Sequence, residues 1–176
     1  MVASTEAYGA WAELLRYPHG VDAPRLREQV GVICAAAPEF ADDLQPLLDF
    51  IEQNQDSELE EVFTRTFDSN AERALEVGWH LHGENYARGV FMVRMRGLLR
   101  QLAVPESSEL PDHLSHVLQV LARAEQSVSR ALAGSVVSPA LAKILEGFGD
   151  QTNPYFGVVR GLKKFIDDRR KDTTHE

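Results

Sequence analysis

The chain of 176 residues carries 27 acidic against 18 basic side chains, a formal net charge of −9, which argues against nonspecific binding to nucleic acid or to an anionic membrane surface. Its length suits one domain with a self-sufficient core, and its one cysteine, Cys34, excludes an intramolecular disulfide and a thiolate metal cluster. No basic-then-apolar leader opens the sequence, and no run approaches about 18 consecutive apolar residues, so a cytoplasmic protein without membrane insertion is expected.

The apolar period is helical nearly throughout and breaks at proline and glycine. Helices are predicted over residues 5–16, 23–36, 39–54, 57–67, 71–82, 84–102, 112–132, 138–147 and 154–169, with no convincing strand. This is an all-α, single-domain bundle of about eight to nine helices over residues 1–170, with a frayed polar tail over 171–176. Tyr17-Pro18-His19-Gly20 ends the first helix. In the second, Cys34 lies among Val32, Ile33 and three alanines and reads as a buried apolar thiol. Pro38 closes that helix, because the residue before a proline avoids helical geometry.

From Glu28 to Thr64 there is no lysine or arginine, while Asp42, Asp43, Asp49, Glu52 and Glu61 all fall there. This acidic flank is either a solvated face or a surface that attracts a basic peptide. Phe63 and Phe67 follow four apart on one helix face, a usual core arrangement, with Asp68 next. In the sixth helix Phe91, Met95, Leu98 and Leu102 form one apolar stripe. The seventh and last helices repeat the pattern, so these three are expected to form the central bundle. Residues 103–112, with Pro105, Ser107, Ser108 and Pro111, read as a long flexible connection. Asn153 before Pro154 is a helix start signal.

Two polar signatures stand out from this background: His80-Leu81-His82-Gly83-Glu84-Asn85-Tyr86-Ala87-Arg88-Gly89, and Glu109-Leu110-Pro111-Asp112-His113-Leu114. His113 and His116 share a helix face, but His80 and His82 point about 200° apart, so at most one of the latter joins a metal site. The spacing matches no established ligand motif. Asp112 suits a cap at a helix start, which leaves His113 either bridging to a neighbouring helix or facing a ligand. Glu84 and Arg88 have the order of an intrahelical pair, and Arg88, Arg94, Arg96 and Arg100 make one helix basic, for pairing with the acidic flank or for an anionic pterin or nucleotide. Trp79, Tyr86 and Phe91 add aromatic surface at the same junction, which suits recognition of an amphipathic or basic peptide. No nucleophile has a base partner and no carboxylate pair is marked for acid and base roles, so no enzymatic activity is expected.

In combination and order, these signatures resemble the NarJ-type nitrate reductase assembly chaperones, within the wider TorD/DmsD group of redox-enzyme maturation proteins. Leu14-Leu15-Arg16-Tyr17-Pro18 and Phe63-Thr64-Arg65-Thr66-Phe67-Asp68 add to the resemblance, which spans about residues 8 to 121. It implies an all-helical, cytoplasmic, monomeric chaperone that binds the catalytic subunit of a molybdopterin oxidoreductase through its N-terminal segment. Such a chaperone assists insertion of the molybdenum cofactor without holding it stably. The matching positions are Phe67, Asp68, His80, His82, Gly83, Glu84, Arg88, Gly89, Pro111, Asp112 and His113; the expected peptide-binding groove also draws on Phe63, Trp79 and Tyr86. Ser115 stands where these chaperones often carry proline, so the resemblance names no single client. The rivals are a metal- or cofactor-binding enzyme using His80, His113 and His116, and a structural subunit retained in the mature enzyme.

Overall fold

Asp22 is the N-cap residue of the second helix, but its side chain caps no helix amide. Its carboxylate accepts from the His19 N–H at 2.8 Å and pairs with Arg25 at 3.0 Å, while Pro24 occupies the first turn, where its missing N–H costs nothing. The computed structural model describes residues 2–20 and 22–171, and its elements are helical: α1 (Val2–Leu14), α2 (Ala23–Ala36), α3 (Ala41–Gln53), α4 (Asp56–Phe63), α5 (Val77–His82), α6 (Tyr86–Gln101), α7 (Leu114–Arg123), α8 (Gln126–Leu132), α9 (Ser138–Glu146) and α10 (Pro154–Lys171). A 3₁₀ turn over Pro38–Phe40 precedes α3, and π-helical turns extend α4 through Thr64–Asp68 and join α8 to α9 through Ala133–Val137. Five residues of the expected tail, 172–176, lie outside the described residues.

The core is built where α1 lies along α7 and α2, and where α10 lies along α3 and α9. Trp11, Phe40 and Phe165 meet there with ring centroids 6.0 to 6.2 Å apart. A second aromatic cluster joins Phe63, Phe67 and Tyr155 at 5.0 to 5.4 Å. Such edge-on contacts add to the burial of large rings. The expected central bundle is therefore corrected. Helices α7 and α10 are central, but α1 takes the third place, because Ala7, Ala10, Trp11, Leu14 and Leu15 bury one continuous face. Helix α6 is peripheral and fully buries only Met95 and Leu99.

Three boundaries differ from the periodicity. Residues 71–76 are not helical. The Arg73 guanidinium holds this stretch open by donating to the carbonyls of Thr66 and Gly147, and Glu76 forms an isolated antiparallel bridge with His113. The helix predicted over 112–132 breaks at Ala124 and Glu125, both with extended ψ. Conversely, α8 and α9 run on as Gln126–Glu146. Pro139 has no N–H for the turn before it, and the π turn absorbs the mismatch. By length and composition this run could cross a membrane; Ala133, Val137, Ala140, Leu141 and Ile144 along it are buried in the domain. Cys34 is half-buried rather than enclosed, and partial burial raises its thiol pKa.

One member of the acidic flank is not a surface charge. Asp43 is 2% exposed and pairs with Arg160 at 2.5 Å and Lys164 at 2.9 Å. Helices α3 and α10 approach so closely there that a Cβ on Gly157 would overlap the Asp43 carbonyl oxygen.

Candidate functional site

Both signatures fold onto one side of the molecule. Gly83 closes α5 with a φ of 63°, a conformation that suits glycine. Asn85 then caps α6: its side-chain oxygen accepts from the Ala87 N–H at 2.8 Å, and its amide donates to the His82 carbonyl. Glu84 thus precedes the helix and is exposed, and the expected Glu84–Arg88 pair does not form. Arg88 instead donates from Nε to Asp112 Oδ2 at 3.0 Å. Asp112 is fully buried, its Oδ1 has no hydrogen-bond partner, and its carbonyl receives the Val77 N–H at 2.9 Å. Gly78 makes the approach possible, since a Cβ there would sit 2.6 Å from Asp112 Oδ2 and 2.9 Å from Phe91. The Arg88 guanidinium lies 6.0 Å from the Trp79 ring, whose Nε1 donates to the Ala71 carbonyl at 2.9 Å.

The expected cap at Asp112 is displaced by one residue. His113 is the N-cap of α7: its Nδ1 accepts from the Ser115 N–H at 3.3 Å and lies 2.7 Å from the Ser115 hydroxyl. Burial, reinforced by His116, lowers its pKa to about 3, so the ring is neutral with its proton on Nε2. His116 pins the loop that read as flexible. Its Nε2 accepts from the Ser107 N–H at 3.1 Å, and its Nδ1 donates to the Leu110 carbonyl at 2.9 Å. Glu106 in that loop pairs with Arg96 at 2.9 Å and lies 3.8 Å from Arg100. Arg88, Arg96 and Arg100 of α6 therefore pair with the loop over 103–112, not with the flank over 28–64. His80 bonds the Ala74 carbonyl through Nε2 at 2.7 Å, and burial lowers its pKa. Among the described residues no three His, Cys, Asp or Glu side chains group around a common point.

Two cavities flank the stretch over 71–76. One, of about 470 Å³, is lined by Asp68, Glu76, Glu109 and the edge of His113. Desolvation raises the Asp68 and Glu76 pKa values, and the negative charge of Glu109 nearby adds to both. Carboxylates crowded in this way favour a cationic guest. The other, of about 660 Å³, lies between α5 and α9 and is lined by Trp79, His80, His82, Glu72, Lys143 and Glu146. Lys143 crosses its floor to donate to the His80 carbonyl at 2.6 Å.

Of the residues singled out in sequence, Asp68 and His113 share the first cavity and Trp79, His80 and His82 the second. Arg88 and Asp112 form the buried pair beside Trp79. Tyr86 is 88% exposed at the start of α6, outside both cavities. Phe63 and Phe67 are 2% and 1% exposed inside the second aromatic cluster, and Phe67 also lines the first cavity. Sequence reasoning missed Glu76, Gly78 and Lys143. Gly78 alone carried a signal, as a lone glycine within a helical pattern.

No curated protein matches the chain. The family model described as nitrate reductase delta subunit matches residues 35–160, which includes α6, α7 and both cavities. With more than half of its length matched, and with both signatures inside the match, the chain belongs to the nitrate reductase delta-subunit family, the NarJ-type maturation chaperones.

Proposed function

We propose that this chain is a system-specific cytoplasmic chaperone that binds the N-terminal segment of a molybdopterin oxidoreductase catalytic subunit and keeps that subunit competent for cofactor insertion. It performs no turnover and holds no cofactor of its own. The observation that carries the reading is the pairing of family membership with an acidic cavity beside an aromatic, polar one on the surface where both signatures converge. A basic residue of the client enters among Asp68, Glu76 and Glu109, while His113 Nε2–H offers a donor to a peptide carbonyl. Apolar client side chains lie across Trp79 and Tyr86, by burial of the kind that anchors helix-in-groove complexes.

The deciding experiment is calorimetric titration with N-terminal peptides of molybdoenzyme catalytic subunits encoded beside this chain, with scrambled peptides as controls. Selective binding, weakened at least tenfold by Asp68→Lys or Tyr86→Ala, is expected. Both positions are exposed, so neither change threatens the fold. Binding that ignores peptide order, or that both variants leave intact, overturns the assignment. The family bears the name of a subunit, and copurification with the active oxidoreductase separates a retained subunit from a transient chaperone.

A further inference from the structure

Helix α6 has two apolar faces and uses one. Phe91, Met95, Leu98 and Leu99 turn inward, whereas the opposite face carries Tyr86 and Val93, 88% and 73% exposed, the most exposed large apolar side chains among the described residues. Gly89 and Gly97 lie on that outward face, and a Cβ at either would meet nothing within 4 Å. Glycine inside a helix is less favourable than alanine, and neither glycine offsets this by close packing within this chain. Exposed apolar side chains and empty glycine positions on one face are what an approaching helix backbone requires.

The order of residues selects the partner. Gly89 and Gly97 stand four residues either side of Val93, and Tyr86 and Arg100 stand seven either side. All five lie within one helix face at 100° per residue. Laid antiparallel on a copy of itself with Val93 at the crossing, the face meets its own complement. Gly89 of one copy lies opposite Gly97 of the other, and Tyr86 opposite Arg100, a cation–π pairing. Charge fixes the same orientation. Arg94, Arg96 and Arg100 all lie on the C-terminal side of Val93, so parallel pairing stacks arginine on arginine. Antiparallel pairing sets them against Met92, Val90 and Tyr86, and brings exposed Glu84 to the partner's basic end. We propose that the outward face of α6 is the interface of a reversible antiparallel homodimer with Val93 on its twofold axis.

The interface is small. Sixteen residues give a helix of about 24 Å, which buries less than the roughly 800 Å² per partner of a standard stable complex. Dissociation in the micromolar-to-millimolar range follows, with monomer dominant on dilution. The dimer face shares Tyr86 with the client reading, but its test contains this chain alone, so the two readings fail separately.

Sedimentation from low micromolar to low millimolar concentration is expected to show the wild-type mass rising toward twice the monomer mass, and Val93→Glu, which sets two carboxylates on the axis, remaining monomeric. A wild type that stays monomeric throughout overturns the proposal, as does a Val93→Glu variant that associates equally well. Cross-linking gives an independent readout in a Cys34→Ser background with copper–phenanthroline as oxidant. Val93→Cys is expected to form covalent dimers, and Gly89→Cys to cross-link with Gly97→Cys in a mixture but poorly with itself. Preferential self-cross-linking of Gly89→Cys would refute the antiparallel arrangement. Should Val93→Glu lose helicity by circular dichroism, the cross-linking result decides.

Discussion

Asp112 has exchanged hydration of both carboxylate oxygens for one charged hydrogen bond from Arg88, and its other side-chain oxygen has no hydrogen-bond partner. Removing Arg88 leaves that charge buried without compensation, so Arg88→Met is expected to destabilise the protein by about 3–5 kcal/mol. The double variant with Asp112→Asn should recover part of the loss, and urea unfolding of the four forms measures the coupling; simply additive losses would deny it. The adjacent His113 makes stability depend on pH. Its folded pKa of about 3 lies below its ordinary 6.5, so the unfolded chain takes up a proton first as pH falls. The stability it contributes is full above pH 6.5 and is lost progressively toward pH 3, by at most about 1.4 kcal/mol per pH unit. Asp68 and Glu76, shifted upward, act in the opposite sense only near the carboxylate range. His113→Asn, which retains a capping side chain, should flatten the slope of urea stability between pH 7 and 5; an unchanged slope would assign that dependence elsewhere. Sequence marked Asp112 and His113 together but exchanged their tasks. Both aspartate and histidine offer an acceptor at a helix start, and the arginine 24 positions earlier that draws Asp112 away has no signature in local spacing.

At the level of elements, periodicity located the helices that bury a stripe and failed where long-range hydrogen bonds override it. The stretch over 71–76 has helical composition, yet Arg73 ties it to carbonyls on both sides, and Leu75 accepts from the Leu114 N–H at 2.8 Å. No window of local sequence contains those partners. The end of α6 is a related case. Ala103 adopts a φ of 51°, and the Val104 N–H reaches back to the Leu99 carbonyl at 2.8 Å, the left-handed closure that glycine usually supplies. An alanine there gives no warning of the turn, and residues 103–112 read as loose on their serines and prolines. Their anchors are His116 and Glu106, one from the next helix and one inside the loop, and they hold the second signature against α6. The Asn153–Pro154 start of α10, by contrast, is local: Asn153 Oδ1 accepts from the Tyr155 N–H at 2.9 Å, and there the sequence signal and the structure agree.

Over the whole molecule, charge is the property that sequence displayed most directly and that the fold redistributes. The flank over 28–64 is acidic, but Asp43 spends its charge inside the domain on Arg160 and Lys164, and Glu60 accepts from the Tyr17 hydroxyl and the Gly20 N–H. What remains outward includes Glu28, Glu39, Asp42, Asp49, Glu52, Glu58 and Glu61, all exposed, together with the carboxylates around the acidic cavity. Exposed charges of one sign act over about a Debye length, roughly 10 Å at 0.1 M salt, and raise the encounter rate with an oppositely charged partner rather than the final affinity. If a basic client segment is guided by this surface, reversing Asp42, Asp49 and Glu61 to lysine should slow association several-fold at low ionic strength while changing dissociation little, and should flatten the dependence of the association rate on salt. Reversal of Asp43 is no test of steering, because it would break the α3–α10 contact and unfold the site with it. Stopped-flow association of a labelled client peptide across a salt series separates the two terms. An association rate that is independent of salt in the wild type, or that the triple reversal leaves unchanged, would confine recognition to the cavities and reduce the flank to a solvated face.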